Sequence, residues 1–161
     1  MYVYRANGAR EQSRDSGPAP GRQALPEYAE RSRPLLTWNQ AVELAAAQAR
    51  ERVRRALEAY AVDARTLDAA VLVASELVAN ACEHARGPYQ LRLSVSRTLC
   101  VEVIDRGPGL PAAVLRRAPV APGSVERGRG LLLVDRLTGG AWGSRCLAGG
   151  RHCAWAEIPA R

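Results

Sequence analysis

The sequence predicts an α+β fold, a two-layer sandwich in which helices cover one face of a mixed, mainly antiparallel sheet. Three observations lead there. Two long stretches carry apolar residues at helical spacing, shorter stretches alternate apolar with polar residues, and the two kinds follow one another as helix, helix, hairpin, loop, helix, hairpin. At 161 residues the chain has the length of one domain, and such a length buries roughly two-thirds of the surface of the unfolded chain.

Each element has its own reason. Residues 1–33 are rich in Gly, Pro, Ser, Arg and Glu with almost no apolar periodicity, and are expected to form a disordered leader to a domain spanning 34–161. A short entry strand, Leu35–Trp38, follows Pro34, after which Asn39 is placed to cap a long helix whose apolar face runs Val42, Ala45, Ala49, Val53, Leu57 and Tyr60. Asp63 or Thr66 opens a second helix reaching about Ala85. Its apolar positions are Leu67, Ala70, Val71, Ala74, Leu77, Val78 and Ala81, and Gly87-Pro88 stops it. Tyr89, Leu91, Leu93 and Val95, then Leu99, Val101 and Val103, alternate with more polar neighbours across a tight turn near Ser96 to Thr98, predicting a hairpin with one buried face. From Asp105 to Gly130 the chain is a Gly- and Pro-rich loop around a short helix at Ala112–Arg117. Leu131–Leu137 is helical in pattern, and Ala141–Leu147 with His152–Ile158 form a second hairpin about Ala148-Gly149-Gly150.

Composition excludes several chemistries. All 23 basic residues are arginine, so a P-loop, a eukaryotic-type kinase strand lysine and a pyridoxal Schiff base are ruled out, and any nucleotide must be held another way. The net charge of +7 is spread among acids rather than clustered, and the densest run, Arg50, Arg52, Arg54 and Arg55, alternates with Glu51 and Glu58 on one helix. That is the pattern of a solvated helix face, and no direct nucleic-acid partner is expected. Cys82, Cys100, Cys146 and Cys153 show neither C-x-x-C nor zinc spacing, so buried free thiols are expected, although Cys146 and Cys153 can face each other across the last hairpin. The start of the chain lacks an apolar signal region and no apolar run reaches a membrane span, which predicts a cytoplasmic protein with no membrane partner.

Three clusters carry chemistry. Glu76, Asn80 and His84 are four apart and form one polar stripe on an apolar helix. Asp105 ends a strand and runs into Arg106-Gly107-Pro108-Gly109. Gly128-Arg129-Gly130-Leu131 leads glycines directly into a helix, offering backbone N–H groups and the positive end of a helix dipole to an anion.

In this order, and with some twenty residues between the glycine clusters, the three motifs resemble the GHKL superfamily of nucleotide-binding domains and its Bergerat ATP-binding fold. More narrowly, Glu76-Leu77-Val78-Ala79-Asn80, Gly128-Arg129-Gly130-Leu131-Leu132-Leu133-Val134, Trp142-Gly143 and Gly149-Gly150-Arg151-His152-Cys153-Ala154-Trp155 are similar to the RsbW-type anti-sigma-factor serine kinases. The resemblance covers about residues 35–159. It implies that Asn80 holds the Mg²⁺ bridging the ATP phosphates, that Glu76 is the general base, and that Asp105 accepts a hydrogen bond from the adenine amine. It further implies that Gly107 and Gly109 let the backbone approach the base, and that Gly128, Arg129, Gly130 and Leu131 form the phosphate turn. His84 holds a family-typical position without an implied catalytic role. ATP and Mg²⁺ are the implied cofactors, and a sigma factor and an antagonist protein the implied partners. Homodimers are implied as well.

The implied activity is that of a transcription-regulating serine/threonine kinase that phosphorylates the antagonist and sequesters the sigma factor. The alternative is an ATP-gated module that sequesters a partner without phosphotransfer. A complete sensor histidine kinase is disfavoured, because His84 and His152 are the only histidines and neither lies in a dimerisation helix; a detached catalytic domain of that kind stays open.

Overall fold

The computed structural model describes residues 34–41, 44–110 and 129–159. The leader, the short helix expected at Ala112–Arg117, the rest of that loop and Gly128 lie outside the described residues. The elements are β1 (Pro34–Trp38), α1 (Ala45–Leu57), α2 (Ala64–His84), β2 (Tyr89–Val95), β3 (Thr98–Asp105), α3 (Arg129–Thr138), β4 (Trp142–Leu147) and β5 (Arg151–Pro159). The strands form one sheet in the order β1-β2-β3-β5-β4. Every described pairing is antiparallel, so the α+β sandwich is present with a sheet that is uniformly antiparallel among the described residues.

Helix spacing decides what faces the sheet. Ala45, Ala49, Val53 and Leu57 recur every fourth residue and make the buried stripe of α1, which packs on α2 and β1. The longer α2 is buried more widely, with Ala70, Val73, Ala74, Leu77 and Val78 at most 1% exposed, as befits the central helix between α1, α3 and the sheet. Leu91, Leu99, Val101, Val103, Ala156 and Ile158 complete this core from the strands, alternating as strand geometry requires.

Asp63 is the N-cap of α2, its carboxylate accepting from the Thr66 backbone N–H at 3.0 Å and from the Thr66 hydroxyl. Asn39 does not cap α1: that helix begins at Ala45 behind Leu44, with no side-chain cap. Val42 lies outside the described residues, and Tyr60 is half exposed beyond the helix end. The expected face therefore runs too far at its C-terminal end, because apolar residues at helical spacing continue past the point where the helix stops at Leu57. The helix-rich arginine run does face solvent at Arg52, Arg54 and Arg55.

The first hairpin departs from its expected single buried face. On β3 the alternate residues Cys100, Glu102 and Ile104 are also buried, between Ser94 of β2 and Cys153 and Trp155 of β5. Glu102, 1% exposed, accepts from Arg145 Nη2 at 2.8 Å, so a charged pair stands on the sheet side opposite the helices. A further correction concerns the thiols. Cys100 and Cys153 are buried, but Cys82 is only half-buried and Cys146 is exposed. Cys146 pairs with His152 and Arg145 with Cys153, so the hairpin register sets Cys146 and Cys153 on opposite sides of the sheet.

Candidate functional site

The stripe on α2 and the ends of β3 and β5 meet in one pocket. It is lined by Leu77, Asn80, Ala81, His84 and Ala85 of α2 and its cap, Asp105 at the end of β3, Pro108, Gly109 and Leu110, Leu131 of α3, Ser144 of β4, and His152 and Ala154 of β5. Asp105 arrives there by strand alternation. With Leu99, Val101 and Val103 on the helix side of β3, the residue two further along must share that side.

Asp105 is 7% exposed. Its Oδ1 accepts the Gly107 backbone N–H at 2.6 Å, and its Oδ2 has no partner among the described residues. Burial pushes the Asp105 carboxyl above its ordinary value, while the Gly107 amide and the nearby His152 act the other way. The loop is tied down at its start, where Arg106 N–H donates to the Arg86 carbonyl at 2.8 Å. Gly107 lies where a Cβ would come within 2.6 Å of the Ala85 Cβ, so only glycine lets the loop approach the end of α2 this closely.

Gly109 has φ +77°, and a Cβ there would stand 2.1 Å from His152 Cε1. Backbone conformation and close packing thus select glycine independently. Gly130, in the first turn of α3, would carry its Cβ 2.3 Å from Glu76 Oε2. The Glu76 carboxylate consequently lies against the N-terminus of α3, where the helix dipole favours negative charge. Asn80, one turn further along α2, has its side-chain Nδ2 buried without a hydrogen-bond partner.

Asn80, Asp105, Gly109 and Leu131 are therefore brought into one pocket, with Glu76 and Gly130 in contact beside it and Gly107 anchoring its rim. Gly128 lies outside the described residues, and Arg129 is placed as the first residue of α3. His84 lines the pocket while remaining exposed, with Nε2 3.8 Å from Glu83 Oε1. Sequence reasoning missed His152, Ser144, Leu77 and Pro108 as lining residues. Only the β3–β5 register, which sets His152 opposite Asp105, could have found His152. Another unforeseen link fixes α3 to the sheet: Trp142 Nε1 donates to Asp135 Oδ1 at 2.7 Å.

The donor set fits a magnesium nucleotide. The unpartnered Asn80 Nδ2 is a donor that suits an acceptor such as a phosphate oxygen, and the oxygen of the same amide suits a cation whose charge is balanced by phosphates rather than by protein carboxylates; no cluster of three or more His, Cys, Asp or Glu capable of holding a metal by itself occurs among the described residues. No helix among the described residues is long and apolar enough to cross a membrane.

The chain is similar in structure to the RsbU and RsbW domains of Rv1364c from Mycobacterium tuberculosis, with TM-score 0.48, 19% identity and coverage of 78% of this chain and 32% of the other. It is similar also to the histidine kinase domain of the blue-light activated histidine kinase from Erythrobacter litoralis EL346, with TM-score 0.43, 23% identity and coverage of 71% and 59%. The catalytic domain of histidine kinase ThkA gives TM-score 0.44 and 12% identity, covering 78% of this chain and 96% of that domain. This chain thus spans about a third of the first of these structures and under two-thirds of the second. No curated protein sequence matches it significantly. Residues 39–139, more than half of the chain and nearly all of the elements that build the pocket's α2, β3 and α3 walls, match the model of the histidine kinase-like ATPase domain, and the chain belongs to that family.

Proposed function

We propose that this domain binds Mg-ATP and works as a serine/threonine protein kinase and anti-sigma factor, phosphorylating a serine on an antagonist protein and sequestering a sigma factor. The observation that supports this reading best is the convergence of Asn80, Asp105, Gly109 and Leu131, distant in sequence, on one pocket at the N-terminus of α3. Asp105 offers a buried carboxylate oxygen to the exocyclic amine of adenine, and a ligand N–H there offsets the burial that the charged carboxylate otherwise bears. Gly107 and Gly109 bring the backbone close to the base.

The Gly128–Gly130 turn and the first amides of α3 present N–H groups to the phosphates, with Arg129 adding a charge and Leu131 closing the apolar side. This is how a chain without lysine holds a triphosphate. Asn80 holds Mg²⁺ through its side-chain carbonyl; the ion, when bound, draws off charge developing on the phosphate oxygens. Glu76, seated against Gly130, takes the proton of the acceptor serine hydroxyl as its oxygen bonds to the γ-phosphorus, and the bond to ADP breaks with ADP as leaving group. The narrower kinase class, the partners and a homodimeric state are carried by the RsbW-type motifs of the sequence.

The test has two stages. Calorimetry of Mg-ATP with the wild type, Asp105→Asn and Asn80→Ala addresses the pocket, and no binding by the wild type sinks the site. Phosphotransfer from ATP to a candidate antagonist then addresses the chemistry. Transfer untouched by Glu76→Gln removes Glu76 as base, and ATP-dependent partner binding with no phosphoprotein leaves an ATP-gated sequestering module instead of a kinase.

A further inference from the structure

The floor of the pocket holds a pair of titratable groups that face each other from neighbouring strands. Asp105 ends β3 and His152 lies directly opposite on β5, both on the helix side of the sheet. Side chains so paired have Cβ atoms about 5 Å apart, within reach through side-chain rotation alone. The imidazole is otherwise surrounded by neutral groups: Ser144 Oγ lies 3.4 Å from Nδ1, Cys146 Sγ 3.2 Å from Nε2, and Gly109 against the ring. Its other titratable contact among the described residues is Cys146 on β4, and His84 on α2 lines the same pocket. Asp105 is thus the one anion lining this pocket among the described residues.

We propose that His152 is a proton-operated gate on the base end of the nucleotide pocket, leaving Asp105 free for an adenine amine when neutral and engaging that carboxylate itself when it is an imidazolium. The inference rests on the reading of this pocket as an ATP site. The imidazole lies close enough to act on the Asp105 carboxyl, lowering it against the larger effect of burial and beside that of the Gly107 amide. Imidazole changes charge between about pH 5 and 8, and the exposed Cys146 edge of the hairpin gives solvent protons access to the ring. A proton on His152 and adenine on Asp105 then exclude one another. By linkage, acid weakens ATP binding and ATP binding expels a proton.

Calorimetry of the full chain with Mg-ATP at pH 8 and pH 6, in buffers of different ionisation enthalpy, measures both effects. The wild type is expected to bind at least about fivefold more weakly at pH 6, the low end of ordinary coupling between sites, and to release protons on binding near pH 6.5. In His152→Gln the ratio of the two affinities collapses towards one and proton release disappears, any remaining slope belonging to Asp105. The same ratio and the same proton release in both proteins overturn the gate. Proton NMR of the wild type provides a readout free of any variant: with just two histidines in the chain, the His152 ring must titrate at lower pH with ATP present, and an unmoved midpoint overturns the proposal. Failure of the wild type to bind ATP at pH 8 is a different result, which refutes the pocket reading and the gate together.

Discussion

Glu102 and Asp105 are buried carboxylates three positions apart on one strand, and they are built for opposite purposes. Glu102 points away from the helices and is matched by the Arg145 guanidinium across the sheet. Asp105 points towards them, has a backbone amide on one oxygen and no described partner on the other. A carboxylate closed by a protein cation is a structural element, whereas one left partly open and raised by burial has the character of a group in a binding or catalytic site, which is the role proposed for Asp105. The thiols on the Glu102 side follow the same logic: burial pushes Cys153 up to about 12 and Cys100 still higher, which leaves them inert as nucleophiles.

Breaking the closed member of the pair has the largest expected effect. Glu102→Ala leaves Arg145 without its counter-charge, with Nε and Nη1 already buried and unpartnered, and is expected to cost about 3 kcal/mol in urea unfolding, as for other broken buried pairs. A loss below about 1 kcal/mol would mean that the pair is solvated and the contrast overdrawn.

The open member responds in a different quantity. Asp105→Asn is expected to weaken Mg-ATP roughly tenfold or more, the worth of a hydrogen bond to a charged group, without loss of stability. Because the folded carboxyl of Asp105 is raised, its stabilising contribution is present below the ordinary value of 3.8 and is lost as pH rises through the folded value. The Asn variant therefore gains on the wild type most at neutral pH and not at all in acid; unfolding curves at both pH values check the sign.

Two glycines sharpen the comparison on the backbone. Gly109→Ala meets both a positive φ and the His152 ring, whereas Gly149→Ala, at φ +74° in the β4–β5 turn, meets nothing within 4 Å. The turn variant is expected to lose about 1 kcal/mol from conformation alone, and the pocket variant more, along with ATP affinity. Equal losses would show that the ring yields freely. Asp63, exposed at the head of α2, gives the smallest effect: its bonds to Thr66 hold its carboxyl below 3.8, so the stability it lends is present above that value and fades as pH falls through the folded one. Asp63→Asn should flatten that part of the acid limb of a melting-temperature profile.

How much of this was legible varies with the range of the interaction. The Asp63 cap, the limits of α2 and the alternation that puts Asp105 on the helix side are set within a few residues, and the sequence displays them. The start of α1 was misjudged because Asn39 is a good cap in isolation, while the chain there is engaged at Gly87, whose Cβ would come within 2.2 Å of the Asn39 carbonyl oxygen. The Glu102–Arg145 pair joins residues 43 apart in sequence, and no local pattern announces it.

By itself the sequence determined the absence of lysine, the one-sided stripe of Glu76, Asn80 and His84, and a strand that ends in a carboxylate followed by glycines, since helical and strand periodicity follow from backbone geometry alone. Tertiary structure alone decided that Gly130 abuts Glu76, that Arg145 rather than solvent meets Glu102, and that His152 faces Asp105. Those outcomes depend on strand register and on which helix lies over which strand, and a slip of one residue would have sent His152 to the other side of the sheet.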